Sequence, residues 1–403
     1  MRWRFQDPND AREAAERASV RAKIDAWWRA FGEVSGEVSA RFTKGGAFDV
    51  LAFMQTYLQP IDANLMWEFG PARKATNRHR LVMTPESRRF LRPLVSEILE
   101  RAPSLPQWEF YPYRLAEELT DAVRTVEGRA NVDVTPFEVD VHRGELHAVD
   151  LTWLIPPGID RNVARGAAFV ATETILGEEM LDTWIGEISV EVRPRPGLFA
   201  RMFGGSNGSS TADRSIGSLR TRVESAIELV RNGLPTAPRA LLDNEGESVV
   251  FEVKPTEADD YPRQKDLFVG VSHGMKEMWQ AAHMAAPFSS QRFSRHGETF
   301  CYLKLDGAEE LEGSKFADRG AIEEALDAAL RSRGLGIAVG GGTGLRYSYI
   351  DLALARLDEG LAEVRRVARE GRLPKRSWLL FFDDIWRDEW LGIHEDTPAP
   401  CLE

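Results

Sequence analysis

The clearest catalytic pattern in the chain is Gly270-Val271-Ser272-His273-Gly274, which fits the G-x-S-x-G motif of a nucleophile elbow. An apolar run precedes the motif and an amphipathic stretch follows it. A strand, a tight turn and a helix in this order would expose the Ser272 hydroxyl as a nucleophile. Asp384 or its neighbour Asp383 would then supply the acid and His394 the base, in the chain order Ser, Asp, His. The pattern permits a serine hydrolase.

The same motif also has a structural interpretation. Serine is a favoured helix N-cap, and Gly270 and Gly274 are typical of a junction between a strand and a helix. No HGGG-type segment precedes Ser272 to form an oxyanion hole, and too few strands precede it for the usual hydrolase sheet. Asp384 and His394 also lie unusually close in sequence. We therefore keep the hydrolase as the alternative hypothesis.

A second candidate site is a predicted hairpin with its turn at Arg143-Gly144. In this register His142 lies opposite Glu145, and Asp140 lies opposite His147, so all four side chains project from one face. Two imidazoles and two carboxylates can bind a divalent transition metal. The alternative is a half-buried hairpin whose polar face meets solvent, because opposite charges across a ladder are ordinary in sheets.

Two oppositely charged stretches are candidate docking surfaces for a partner, one at 73–92 and one at 383–396. Their candidate binding residues are Arg73, Lys74, Arg78 and Arg80 in the first stretch, and Asp383, Asp384, Trp386 and Trp390 in the second. Trp and Arg are frequent anchors of protein interfaces. The alternatives are a solvated helix face for the basic stretch, and a divalent-cation site or core packing of the two tryptophans for the acidic one.

The glycine cluster at 340–344 resembles a phosphate-binding loop only in composition. The residues after it alternate in polarity like a strand, whereas a phosphate cradle needs a helix N-terminus. The pattern predicts a glycine-rich hairpin loop, and Arg346 and Tyr347 beside it are further candidate binding residues.

Composition excludes several function classes. The 403 residues include 51 Lys and Arg and 63 Asp and Glu, which gives a formal charge of −12. An acidic surface repels phosphate backbones, so nucleic-acid binding is not expected. No segment is long and apolar enough for a membrane span, and the charged N-terminus lacks a signal-peptide pattern. Two cysteines are too few for a disulfide framework, so the expected location is cytoplasmic.

The predicted fold is α+β with two domains, each a mixed or antiparallel sheet with helices mainly on one face. The N-terminal domain is expected at 1–196 and the C-terminal domain at 217–403. Between them, 197–216 contain a Gly/Ser-rich run that predicts a flexible linker. A helix is predicted from Thr84 to about Arg101, opened by a Thr-Pro pair.

The function that this sequence favours is a cytoplasmic binding or regulatory protein without catalysis, such as an inhibitor or immunity-type protein. Its partner is predicted to be another protein, because the two charged stretches are the strongest binding candidates and no cofactor fingerprint is present. No cofactor is predicted. The hydrolase built on Ser272 remains the alternative.

Overall fold

The chain forms two compact units. The computed structural model describes residues 1–74, 78–193, 213–242, 247–284, 286–307, 311 and 313–402. Met1–Pro112 and Pro235–Glu403 together form the first unit, and Tyr113–Leu234 forms the second. These boundaries differ from the predicted ranges 1–196 and 217–403. Most of the predicted linker at 197–216 lies outside the described residues.

The described residues contain ten α-helices and strands in three sheets, which confirms the predicted α+β class. Within these residues, helix length and hydropathy together leave no candidate for a transmembrane span.

The N-terminal part of the first unit packs one long helix and two short ones on a small sheet. The sheet has the order β1-β2-β3, with β1 antiparallel and β3 parallel to β2. The elements are α1 (Ala11–Lys44), α2 (Val50–Tyr57), β1 (Met66–Pro71), β2 (His79–Thr84), α3 (Arg92–Glu100) and β3 (Trp108–Tyr111). Asp10 caps α1 by accepting a hydrogen bond from the Glu13 N–H at 2.9 Å. Trp27, Trp28 and Phe31 from α1 fill the core against the sheet.

The predicted helix from Thr84 to Arg101 begins later than expected, at Arg92. The Thr84 hydroxyl accepts a hydrogen bond from the Glu86 N–H, so it stabilises a turn rather than a helix. Pro93 then stands in the first turn of α3, where its missing N–H costs no helical hydrogen bond.

The C-terminal part of the first unit is built on a seven-stranded antiparallel sheet with the order β13-β12-β9-β11-β10-β8-β7. Its strands are β7 (Ser248–Glu252), β8 (Leu267–His273), β9 (Thr299–Asp306), β10 (Gly336–Gly344), β11 (Tyr347–Leu354), β12 (Ser377–Phe381) and β13 (Trp390–Gly392). Its helices are α8 (Lys276–Met284), α9 (Arg319–Ser332) and α10 (Leu357–Glu370).

One face of this sheet is apolar and carries α9 and α10. Alternate residues of β9 and β11, including Cys301, Leu303, Ile350 and Leu352, pack there with the apolar stripes of the two helices. The register of β9 and β11 places the intervening residues on the opposite face. That opposite face is also buried, but it carries tyrosines, carboxylates and a lysine.

The predicted loop at 340–344 is wrong, because these glycines belong to the central strand β10. They lie between β8 and β11 in the sheet. The absence of side chains leaves room for groups from the neighbouring strands, since a Cβ on Gly342 would lie 2.4 Å from Cδ1 of Leu267. Arg346 and Tyr347 follow the turn that joins β10 to β11.

The second unit packs four helices on a three-stranded sheet with the order β4-β5-β6. The elements are α4 (Leu119–Ala130), β4 (Glu138–Arg143), β5 (Val149–Ile155), α5 (Arg161–Leu176), α6 (Glu178–Trp184), β6 (Ile185–Val192) and α7 (Leu219–Asn232). Buried alanines along α5 permit close helix packing around Trp153. The indole N–H of Trp153 donates to the Thr172 hydroxyl at 3.2 Å, so this buried polar group is satisfied.

Gly270 of β8 is the glycine whose replacement tests the packing of α8 on the sheet. A Cβ at this position would lie 2.1 Å from Cζ2 of Trp279, which stacks on Phe251 with a centroid distance of 4.5 Å. Gly270→Ala should lower the free energy of unfolding by about 2 kcal/mol, because the core would be overpacked. Urea unfolding followed by tryptophan fluorescence measures this change.

Gly32→Ala in α1 is the matched control. A Cβ there meets nothing within 4 Å, so the better helix propensity of alanine should raise the free energy of unfolding by about 1 kcal/mol. If both substitutions stabilise the protein, Trp279 does not pack on Gly270.

Candidate functional site

The buried polar face of the seven-stranded sheet borders a cavity of about 530 Å³. The cavity lies entirely within the first unit. Its wall combines three aromatic rings, a set of charged side chains and one amide. These residues are Phe288, Tyr302 and Phe382, then Lys254, Arg263, Lys265, Arg387 and Asp384, and finally Gln264. A volume of this size is typical of small-molecule binding sites.

The charged part of the wall has four cationic side chains and one carboxylate. Among the described residues, Lys254 and Lys265 form no ion pair or side-chain hydrogen bond. Arg263 donates to the backbone carbonyl of Arg387 at 3.1 Å, and the Arg387 guanidinium lies 4.2 Å from the centroid of the Phe90 ring. The cavity therefore has an excess of positive charge in a protein whose formal charge is −12.

Asp384 is compensated by arginines around it. Burial raises the pKa of its carboxyl group, while Arg89, Arg263, Arg387 and Arg292 oppose this shift through their positive charges. Nη1 of Arg89 lies 3.7 Å from Oδ2 of Asp384. Because arginines already balance the charge of Asp384, this carboxylate does not neutralise the lysines of the wall, and their positive charge can attract a ligand.

The aromatic part of the wall is a continuous cluster. The ring of Phe382 lies 5.0 Å from that of Tyr302 and 5.7 Å from that of Phe288, measured between centroids. Phe288 in turn stacks on Phe293 at 4.7 Å. These rings hold one another in place, so the apolar wall is preformed.

A row of polar side chains crosses the sheet beside the cavity. Tyr302 of β9 pairs with Asp351 of β11, Asp351 pairs with Gly340 of β10, and Gly340 pairs with Ser272 of β8. Paired residues of adjacent strands project to the same face, so Tyr302, Asp351 and Ser272 lie on one line. All three side chains are fully or almost fully buried.

This polar row is not satisfied by hydrogen bonds. Among the residues that the structure describes, Oη of Tyr302, Oδ2 of Asp351 and Oγ of Ser272 have no hydrogen-bond partner. Only the other carboxylate oxygen of Asp351 is bound, by Nε2 of Gln264 at 3.0 Å. Buried polar atoms without partners are uncommon and costly, so three of them in one row mark a candidate binding site.

Burial shifts the ionisation of this row. Desolvation raises the pKa of Asp351 to about 7, and the hydrogen bond from Gln264 opposes the shift. The charges of Glu323 and Arg319 add smaller effects of opposite sign. Desolvation also raises the pKa of Tyr302. Asp351 can therefore gain or lose its proton near neutral pH.

The predicted binding residues Arg346 and Tyr347 belong to a satisfied network on the same face. The Arg346 guanidinium pairs with Asp306 at 2.9 Å, and the Tyr347 hydroxyl donates to Asp260 at 2.5 Å. Arg376 also binds Asp306, at 2.8 Å. These contacts join the loop before β8 to the sheet, so both residues have a structural role.

The structure does not bring the predicted catalytic triad together. Ser272 lies within strand β8 rather than on a turn. His394 follows β13, which is five strand positions away, or roughly 24 Å at about 4.8 Å per strand. His394 contacts the carbonyl of Leu373 through Nε2 at 2.8 Å, and Asp384 lies beside β12, four positions from β8. The G-x-S-x-G match is therefore not a nucleophile elbow.

The predicted metal-binding register of the hairpin is wrong. A 3-10 turn at Glu145–His147 lengthens the connection, so His142 pairs with Asp150 and Asp140 pairs with Thr152. Asp140 instead binds Arg214 at 2.7 Å. Within the described part of the chain, no three His, Cys, Asp or Glu residues cluster with metal-binding geometry.

The acidic stretch at 383–396 contacts the N-terminal residues of the same chain. The Glu389 carboxylate accepts hydrogen bonds from the backbone N–H groups of Trp3, Arg4 and Phe5 at 2.7–3.1 Å. Trp386 packs against Phe5 with a centroid distance of 5.9 Å, edge to face.

Two other candidate residues in this stretch are also occupied within the fold. Trp390 lies beneath the Arg2 guanidinium at 3.7 Å. Asp383 is buried, and its carboxylate accepts a hydrogen bond from the Ser290 N–H at 2.7 Å. Asp383, Trp386 and Trp390 therefore stabilise the fold instead of forming an exposed docking surface.

The basic stretch at 73–92 is divided between the surface and the interior. Arg80 is buried and pairs with Glu68 at 3.4 Å. The side chains of Arg73, Lys74 and Arg78 are exposed, so docking through these three residues stays a prediction. Residues 75–77 of the stretch lie outside the described residues.

Sequence motifs pointed to Asp384 and Ser272 but not to the other residues of the cavity wall and the polar row, notably Arg263, Gln264, Tyr302 and Asp351. A usable signal was present in two strands. In Tyr302-Leu303-Lys304-Leu305-Asp306 polar or hydroxyl-bearing residues alternate with leucines, and Tyr347, Tyr349 and Asp351 repeat this spacing in β11; both strands are largely buried. Such alternation usually indicates a solvent-exposed face. In a central strand it indicates a buried polar site. Comparison of the chain with protein-family models, curated proteins and solved structures gives no significant match.

Proposed function

We propose that this protein is a binding or regulatory protein whose ligand is a small anionic molecule with an apolar part, held in the 530 Å³ cavity. The observation that carries the proposal is the combination of four cationic side chains with an aromatic wall in one small-molecule-sized cavity. The cations favour a carboxylate or phosphate, and the rings of Phe288, Tyr302 and Phe382 favour an apolar group.

The energetics of the wall support a charged ligand. Lys254 and Lys265 have no ionic partner among the described residues, so an anion would not have to displace an existing ion pair. A hydrogen bond to a charged group contributes about 1.5–3 kcal/mol, which corresponds to roughly tenfold to a hundredfold in affinity. The aromatic rings already contact one another, so little side-chain ordering opposes binding.

A protein partner has weaker support than the sequence suggested. Of the two predicted docking stretches, the acidic one is largely occupied by the N-terminal residues of the same chain. The side chains of Arg73, Lys74 and Arg78 are exposed, so they are the residues of the basic stretch that such a contact would use. A cytoplasmic location is part of the proposal, and the free thiols of Cys301 and Cys401 are compatible with a reducing compartment.

The binding test uses 3-phenylpropionate as the probe and its uncharged amide as the reference compound, measured by isothermal titration calorimetry. We expect the carboxylate to bind at least tenfold more tightly than the amide. Arg387→Gln should weaken binding of the carboxylate by about tenfold, and Lys254→Gln, at an exposed lysine, by about twofold to fivefold. Affinity should also fall with salt, because part of the attraction is electrostatic.

Lys375→Gln is the matched control, since Lys375 is a partly exposed lysine that pairs with Asp396 at 2.7 Å. It lies outside the cavity wall and should leave binding unchanged. Equal affinity for the carboxylate and the amide, or full affinity in both cavity variants, would overturn the proposal.

A further inference from the structure

The cavity wall carries hydrogen-bond acceptors as well as cations. Tyr302 and Gln264 both line the cavity, and both neighbour Asp351, one as its partner in the sheet and the other as its hydrogen-bond donor. Asp351 itself is fully buried and does not line the cavity, but its carboxylate binds Gln264 and its strand position pairs with that of Tyr302. This cluster is chemically different from the lysines and arginines of the same wall.

The hydrogen bond to Asp351 leaves the amide oxygen of Gln264 as the acceptor of a side chain that lines the cavity. Its Nε2 group donates to Oδ1 of Asp351 at 3.0 Å, which leaves Oε1 as the second polar atom of the amide. Among the described residues, the Gln264 amide forms no hydrogen bond besides the one to Asp351, and Oη of Tyr302 has no partner. A donor group in the cavity can therefore bind both oxygens.

The charge next to these acceptors is not neutralised within the fold. The charges that act on Asp351 come from Glu323 and Arg319, which have opposite signs, and no ion pair to its carboxylate is formed by the described residues. A buried carboxylate of this kind is costly unless a cation approaches it. A neutral hydroxyl group would satisfy the acceptors but leave this charge uncompensated.

We propose that the ligand carries a protonated amine in addition to its anionic group, and that Gln264, Tyr302 and Asp351 bind this amine. The amine would donate to Oε1 of Gln264 and Oη of Tyr302, while the adjacent Asp351 carboxylate supplies the opposite charge. The cavity then takes a zwitterionic, amino-acid-like molecule with an apolar side chain. This inference rests on the proposed function, since the anionic group is bound by the cations already described.

The test compares matched compounds that differ only by the amine. Phenylalanine against 3-phenylpropionate is the first pair, and leucine against 4-methylpentanoate is the second. Calorimetry near neutral pH should show at least tenfold tighter binding of the amino acid in one or both pairs. In Asp351→Asn this preference should fall to about one, while the affinity for the compound without the amine changes less than about twofold.

Two further substitutions sharpen the test. Tyr302→Phe should reduce the preference for the amine by about threefold to tenfold, because one acceptor is removed. Tyr57→Phe is the matched control and should leave the preference unchanged, because Tyr57 lies on α2 and does not line the cavity. Circular dichroism checks that each variant is folded, and asparagine at 351 retains the acceptor for Gln264.

The outcomes separate this inference from the proposed function. If 3-phenylpropionate binds and phenylalanine and leucine show no advantage over their partners, the amine site is wrong and the anion site stands. If Asp351→Asn keeps the native preference, the amine is not bound through Asp351 and the inference fails. If none of the four compounds binds, the proposed function fails together with it.

Discussion

Replacing Asp351 with asparagine should raise the free energy of unfolding by about 4 kcal/mol at pH 8 in the ligand-free protein. Burial raises the pKa of the Asp351 carboxyl group to about 7, whereas the ordinary value is 3.8. The unfolded chain therefore loses this proton at lower pH than the folded protein does. Between pH 4 and pH 7 the folded state binds more protons, so rising pH lowers stability, and the loss is complete above about pH 7.

Asparagine removes this loss because it stays uncharged at every pH and still accepts the hydrogen bond from Gln264. The stabilisation should therefore be small at about pH 4 and should grow to its full size above about pH 7. Urea unfolding of the native protein and the variant at several pH values measures the difference. An equal difference at low and high pH would contradict a titrating, uncompensated carboxylate at this position.

Asp266→Asn is the matched control on the same face of the sheet. Asp266 is also fully buried, but its carboxylate accepts hydrogen bonds from the backbone N–H groups of Arg346 and Tyr347 at 2.9 and 2.8 Å. A neutral amide is a weaker acceptor, so this substitution should lower the free energy of unfolding by about 1–3 kcal/mol. The two Asp→Asn substitutions should therefore change the free energy of unfolding in opposite directions.

A carboxylate that lowers stability at neutral pH is easier to understand at a functional site than in a structural core. Proteins commonly retain unfavourable groups where ligands bind, and compensate for them elsewhere in the fold. Here the compensation comes from the apolar face of the same sheet, where α9 and α10 bury Leu303, Ile350 and Leu352. The packing of α9 and α10 on the apolar face of the sheet therefore holds the polar residues of the opposite face in position.

Hydrophobic periodicity in the sequence is sufficient to predict the α+β class and many of the helices and strands. The helix at 357–370 and the strand at 377–381 follow directly from it. Errors occur where tertiary contacts decide the local structure. The glycines at 340–344 favour a loop by propensity, yet neighbouring strands place them in the middle of a sheet. The turn between β4 and β5 is longer than the predicted two-residue turn at Arg143-Gly144, and this difference shifts the register of the two strands.

The candidate site was harder to predict than the fold because its residues are distant in sequence. Gln264, Tyr302 and Asp351 are joined only by the order of β9 and β11 and by the loop before β8. By contrast, Ser272, Asp384 and His394 matched a known chain order, but the sheet separates them by several strands. Motif spacing reports neither strand order nor burial, and both decide which groups meet.

Glu389→Ala should have the second large effect, lowering the free energy of unfolding by about 3–4 kcal/mol and releasing the N-terminal segment 2–8. The Glu389 carboxylate is almost fully buried and accepts hydrogen bonds from three consecutive backbone N–H groups. Truncation leaves these donors without their charged acceptor, and each such loss costs about 1–3 kcal/mol. Hydrogen exchange of residues 2–8 and urea unfolding measure the two consequences.

Asp358→Ala provides the control because Asp358 binds the same segment from the surface, through the Arg4 guanidinium at 2.7 Å. Both side chains of that pair are largely exposed, so its loss should change stability by less than about 1 kcal/mol and leave hydrogen exchange unaltered. The contrast isolates burial as the cause, since both acids contact the same N-terminal segment. Rapid exchange at residues 2–8 in the native protein would instead mean that Glu389 does not hold this segment. In that case the acidic stretch at 383–396 would again be available to a partner, as the sequence first suggested.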